Sequence, residues 1–151
     1  MIWKPNATVA TIVERDGKFL FVEEYNDEGQ LVLNQPAGHL DPGESLPAAA
    51  VRETLEETGW EVELTGVVCI TMYSPPGRDL TYLRTCFVAR ALRHHADRPL
   101  DTGIVRAVWL TRAELEAQSA KMRSPLVSHV LDRYLDGHHY PLALFSDPGT
   151  A

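Results

Sequence analysis

The alternation of apolar and polar positions divides the chain into short strand-like runs and three helical ones. Ala7 to Val13 is dense in β-branched residues and reads as a strand. Asp16-Gly17 supplies a turn signal, and Phe19 to Val22 resumes strand character, so the pair predicts a hairpin. Asn26-Asp27-Glu28-Gly29 marks another turn before a short strand, Leu31-Val32-Leu33. From Asn34 to Glu44, two prolines and two glycines predict a loop. The period then changes. Ser45 can cap a helix, Pro47 suits its first turn, and Gly59 supplies a left-handed stop after Thr58. Val67 to Tyr73 and Thr81 to Ala89 read as strands around the loop Ser74 to Asp79, and Ile104 to Leu110 as another. Thr111-Arg112-Ala113-Glu114 has capping-box spacing and opens a short helix. Ser124-Pro125 opens the last helix, with an apolar stripe of Leu126, Val127, Val130, Leu131 and Tyr134, and Gly137 ends it. Hairpins mixed with helical crossovers predict a mixed β-sheet with helices packed on it, in the α/β (α+β) range.

Composition narrows the function classes. A length of 151 residues is expected to form one domain, 1–151, with a sizeable core. Lys plus Arg is 14 and Asp plus Glu is 21, a formal net charge of −7. That balance excludes a duplex nucleic-acid binder that works through a basic surface. It also sets a difficulty for any anionic small-molecule substrate, since positive charge must then come from elsewhere. Cys69 and Cys86 lie inside apolar runs without C-x-x-C spacing, which fits free thiols in a reducing cytoplasm. No apolar run approaches the ~18 residues of a membrane span, and no signal peptide is expected at Met1-Ile2-Trp3-Lys4-Pro5. Ser146 to Ala151 reads as a loose tail.

The first helix carries the chemistry. On a wheel of about 100° per residue, Ala48, Val51 and Leu55 fall on one side. Glu53, Glu56 and Glu57 fall nearly opposite, at i, i+3 and i+4, and are surface neighbours. Such a cluster is either a solvated acidic face or a site for a hard divalent cation, which takes several oxygen ligands. Arg52 adjoins the cluster, and Glu44 comes within its reach if the preceding loop folds back.

Gly38, Glu44 and Arg52-Glu53-Thr54-Leu55-Glu56-Glu57-Thr58-Gly59-Trp60 resemble the Nudix box, G-x5-E-x7-R-E-U-x-E-E-x-G-U, at residues 38–60. Every charged and glycine position matches. Thr54 and Trp60 depart from the bulky aliphatic U. Lys4-Pro5, the run Asn34 to Leu40, Leu83-Arg84, Arg123 to Val127 and Tyr140-Pro141-Leu142 are similar in order to the NudJ-type phosphatases of that family. The resemblance implies the Nudix fold, a mixed sheet between helices with the box as loop–helix–loop. It implies Mg²⁺ (or Mn²⁺) held by Glu53, Glu56, Glu57 and the Gly38 carbonyl, with Arg52 and Glu44 as a supporting pair. The implied reaction is metal-dependent hydrolysis of phosphoanhydrides, releasing phosphate from nucleoside di- and triphosphates or a pyrimidine (thiamine-precursor) pyrophosphate. Alternatives are ADP-ribose or nucleoside triphosphate pyrophosphohydrolysis, and a non-catalytic nucleotide sensor, against which the intact carboxylate set speaks.

The general base stays open between Glu53 and an acid outside the box. The family places that acid on the loop before the strand ending in Trp109-Leu110. Gly103 stands at the expected position, and the nearest acid, Asp101, reads foremost as a turn residue. Alternation puts Arg84 on one strand face with Tyr82, Cys86 and Val88. Arg84 is a candidate phosphate clamp through its planar fork, Tyr82 a stacking surface, and Arg123 a further phosphate contact; ordinary half-exposed strand positions are the alternative. His94-His95 and His138-His139 read as solvated loop residues. Pro75-Pro76 is a weak mark of ADP-ribose-type substrates. Oligomeric state is not legible.

Overall fold

A computed structural model describes residues 1–146 as a mixed sheet carrying helices on both faces. The tail expected from Ser146 lies, from Asp147 onward, outside the described residues. The strands are β1 (Asn6–Arg15), β2 (Lys18–Tyr25), β3 (Leu31–Asn34), β4 (Ala37–His39), β5 (Trp60–Tyr73), β6 (Tyr82–His94) and β7 (Ile104–Leu110). The helices are α1 (Leu46–Thr58), α2 (Arg112–Ala117) and α3 (Leu126–Leu135).

The strand order is β3-β2-β1-β6-β5, with β4 on β1 and β7 on β2. β1 joins the two halves. Its first part pairs parallel with β6 and antiparallel with β4, and its end turns into β2. Asp16 (φ 52°) and Gly17 (φ 74°) both take left-handed conformations in that turn, the geometry that matches strand twist in a two-residue hairpin.

Successive residues of the central strands bury opposite faces. Ala10 and Cys86 pack with Leu115, Val127, Val130 and Leu131 from α2 and α3. Val9 and Phe87 pack with Ala49 and Ala50 from α1. At the C-terminal end, Tyr140 pairs with Val67, and Leu142 and Phe145 pack against the α1-side core.

Two features differ from the sequence reading. The expected loop Asn34–Glu44 contains β4, because Ala37–His39 pair with Thr8–Ala10 on an otherwise open side of β1. β5 begins at Trp60 rather than Val67, and β6 runs to His94 rather than Ala89. Charged residues hid these ends: Glu63 and Arg90 are cross-strand partners joined by an ion pair, while Val62 turns inward. Among the described residues, no helix is long and apolar enough to cross a membrane.

Candidate active site

The site is built on the second half of α1 and the edge of β4. Ser45 caps the helix by accepting from the Ala48 N–H at 3.2 Å. Gly59 (φ 73°) closes it, its N–H donating to the Leu55 carbonyl at 2.9 Å. Only a residue at ease in the left-handed region ends the helix there without strain.

The buried face of α1 is not the Ala48–Val51–Leu55 side. Ala50, Thr54, Glu57 and Thr58 are buried, whereas Ala48 is exposed and Val51 and Leu55 are only partly covered. Hydroxyls make this polar face packable. Thr54 Oγ1 bonds to Thr11 Oγ1 at 3.0 Å and donates to the Ala50 carbonyl at 2.8 Å, so threonine fills its U position with its polar atom paired. Trp60, the other departure, stacks on His94 and meets Trp109 edge-on.

The three glutamates consequently fan from core to solvent. Glu57 is 6% exposed. The side chains of Glu53 and Glu56 are 13% and 30% exposed. Glu57 Oε1 accepts the Ala37 N–H from the open edge of β4 at 2.7 Å. Burial pushes the Glu57 carboxyl up to about 9 despite that hydrogen bond, and Glu24, Glu53 and Asp101 push the same way. Burial also raises Glu53, against the pull of Arg52. Gly38 explains how Glu53 reaches the strand, because a Cβ on Gly38 would overlap its carboxylate.

Arg52 ties the loop to the helix. Its Nε and Nη2 donate to Glu44 at 3.0 and 2.6 Å, Nη2 also donates to the His39 carbonyl at 3.0 Å, and Nη1 donates to Glu53 and Glu56 at 3.0 Å each. These bonds raise the Arg52 pKa and hold Glu44 below the usual carboxylate range.

Oxygens of Glu53, Glu56 and Asp101 lie within 4.8 Å of one another. Asp101 arrives there by its backbone, whose N–H donates to the Glu56 carbonyl at 3.0 Å. It is also the turn residue read from sequence, its carbonyl accepting from Ile104 at 3.1 Å. The sequence offered Asp101 only as the nearest acid before β7, and its approach to Glu53 and Glu56 depends on how the loop docks on α1. An all-oxygen donor set suits a hard divalent cation. Burial raises both Glu53 and Glu57, and a divalent ion against them would favour their ionised forms.

Beside this cluster lies a cavity of about 350 Å³ that includes Gly38 and His39. Tyr82, Arg84 and Arg123 all line it, as do Pro75 and Pro76. Tyr82 approaches the His39 ring, with centroids 6.3 Å apart. Arg123 does not stand free, since its Nη1 meets Glu24 at 3.0 Å, and Asn34 donates to the same Glu24 oxygen at 3.1 Å. Away from the cavity, His95 meets Glu61 at 3.2 Å, and His138 meets Tyr140 at 2.9 Å.

The NUDIX domain family model matches residues 3–131. The chain belongs to the Nudix family. It is a Nudix hydrolase, and comparison with individual members agrees. It is 36% identical over 146 residues to phosphatase NudJ of Escherichia coli strain K12, covering 97% of this chain and 94% of that protein. A NUDIX hydrolase from Nitrosomonas europaea superposes with a TM-score of 0.93 at 43% identity, covering 95% of this chain and 97% of the other. An ADP-ribose pyrophosphatase from Streptococcus suis superposes at 0.67 with 19% identity, covering 91% and 96%, a likeness of fold.

Proposed function

We propose that this Nudix hydrolase cleaves phosphoanhydride bonds with a divalent ion, Mg²⁺ foremost and Mn²⁺ as a substitute. Its substrates are nucleoside di- or triphosphates or a pyrimidine pyrophosphate such as the thiamine precursor, and it releases phosphate. The observation that carries this reading is the oxygen cluster of Glu53, Glu56 and Asp101 beside a cavity that opens past Gly38. The 36% identity to a phosphatase over nearly the whole chain supports the phosphate-releasing form.

Glu53, Glu56 and Glu57, with the Gly38 carbonyl, would hold the ion, and Asp101 adds an oxygen. When bound, the ion supplies positive charge to the phosphate oxygens and acidifies water. Glu53 is the proposed general base, taking the proton of the attacking water. The water oxygen bonds to phosphorus, and the leaving oxygen departs with the electron pair of the broken anhydride bond. Arg52 and Glu44 are positioning residues, which fix the carboxylates and the segment that follows β4. Tyr82, Arg84 and Arg123 belong to the substrate side, Arg123 acting through its grip on Glu24. The free thiols Cys69 and Cys86 fit a cytoplasmic setting.

A second reading, ADP-ribose hydrolysis, draws on the placement of Pro75 and Pro76 in the cavity wall. A panel of phosphoanhydrides with Mg²⁺, products resolved individually, separates the two. Phosphate together with a product one phosphate shorter supports the first reading, and AMP plus ribose phosphate replaces it with the second. Glu57→Gln is expected to abolish metal-dependent turnover. Full turnover by that variant would remove Glu57 from the ligand set.

A further inference from the structure

Arg84 stands in the middle of a polar row that crosses the sheet. Strand register puts Thr8 of β1 on one side of it and Thr71 of β5 on the other. Residues directly opposed across strands share a face, with Cβ atoms about 5 Å apart. Among the described residues, Thr8 Oγ1, Thr71 Oγ1 and both Nε and Nη1 of Arg84 are buried with no hydrogen-bond partner. Buried polar atoms are ordinarily paired, and Glu24, which acts on the Arg84 charge through space, makes no hydrogen bond to Nε or Nη1. The two other arginines of the cavity are engaged, Arg78 on Asp27 at 2.9 Å and Arg123 on Glu24 at 3.0 Å. Arg84 is therefore a cation set into a cavity wall with its donors in waiting.

Position decides which anion it awaits. Thr8 is the register partner of both His39 and Arg84, so Arg84 lies two strand spacings from β4, about 10 Å across the sheet. The carboxylates lie at the β4 edge, where Glu57 bonds Ala37. That backbone spacing exceeds the distance between the two phosphorus atoms of one anhydride, and side chains bridge only part of it, as the His39 and Tyr82 rings do with centroids 6.3 Å apart. An uncharged ring against Arg84 would leave its charge uncompensated, whereas a phosphoryl group accepts from a guanidinium fork and a hydroxyl together.

We propose that Arg84 and Thr8 form an anion subsite for a phosphoryl group other than the two joined by the scissile bond, held without the metal. Thr71 backs the guanidinium from the far side. The assignment rests on the cavity being the substrate site. The group has two sources: the far end of a longer phosphate chain, or a phosphate ester elsewhere on the nucleoside.

The test uses the full chain in EDTA with inorganic phosphate as the probe, read by thermal shift against chloride at equal ionic strength. Saturable stabilisation by phosphate is expected. Arg84→Met should weaken it at least roughly 10-fold, the loss of charge-assisted hydrogen bonds, without lowering the phosphate-free melting temperature. Arg84→Lys should fall between. Glu57→Gln should bind phosphate as the parent does, so failure of the hydrolytic reading leaves this arm intact. A phosphate response no larger than that of chloride, or one that survives Arg84→Met, overturns the subsite. With Mg²⁺, kcat/KM is then compared for a nucleoside diphosphate, a triphosphate and a 3′-phosphorylated 5′-diphosphate. The advantage over the plain diphosphate that disappears in Arg84→Met names the source. Equal losses on all three overturn the assignment to a group outside the scissile pair.

Discussion

Arg52 and Arg84 place the same side chain in opposite company. Arg52 donates to Glu44, Glu53, Glu56 and the His39 carbonyl, and its partners raise its pKa. Arg84 keeps two buried nitrogens without partners among the described residues, and burial lowers its pKa. One arginine is bonded into the architecture and the other keeps unpaired donors in a cavity wall. On the proposed reading, this difference divides the site into an acidic half that takes a cation and a cavity half that takes an anion. A polyphosphate with a divalent ion satisfies both. The net charge of −7 is thus no obstacle to such a substrate, because several of its carboxylates are gathered where the ion would sit.

The acidic half is broken most sharply at Gly38. Gly38→Ala puts a methyl group into the Glu53 carboxylate. Glu53 must swing away while α1 and β4 keep their other contacts. A misplacement of about 1 Å at a reacting group costs on the order of 100-fold. We expect kcat to fall by about that factor, with far-ultraviolet circular dichroism unchanged. Near-parental kcat would show that Glu53 does not need its seat against β4.

The two halves were unequally legible in the sequence. Glu53, Glu56 and Glu57 sit on one helix, where spacing alone makes them neighbours. Arg52 and Glu44 were within reach of the same argument. The wheel grouped the three carboxylates on one side without telling how deep each lies. Thr54 and Thr58 pack inward by pairing their oxygens locally, and they carry Glu57 in with them. The cavity draws on β1 to β6, the start of α3 and the loops between them. Thr8 and Thr71 are tied to Arg84 only by strand register, which no local pattern specifies. Asp101 depends on a single backbone bond from its loop to α1.

Substituting each arginine by methionine sharpens the contrast. Arg52→Met leaves Glu44, Glu53 and Glu56 facing one another without their shared cation. Arg52 is partly exposed, with 26% of its side chain accessible, so the loss is discounted from that of a fully buried pair to about 1–3 kcal/mol. Denaturant unfolding of the metal-free protein should show that loss, and Mg²⁺ should recover part of it. Arg84→Met should show no loss in the same assay. Equal destabilisation by both would make Arg84 as architectural as Arg52.

The probe that leaves every residue in place is pH, acting on Glu57. In the metal-free fold its pKa is raised from 4.5 to about 9. Between those values the folded chain keeps a proton that the unfolded chain has released. Folding takes up that proton, so stability falls as pH rises from about 4.5 to about 9, at a limiting slope of about 1.4 kcal/mol per pH unit. Glu44 acts in another window and with the opposite sign. Its pKa is lowered, so its contribution is present above 4.5 and is lost as pH falls through its folded value. Urea unfolding of parent and Glu57→Gln proteins in EDTA isolates the Glu57 slope as their difference. That difference should shrink when Mg²⁺ is added, because a bound ion requires the ionised carboxylate. A Glu57→Gln protein that keeps the full parental slope would place the buried proton on another group, with Glu53 the next to examine.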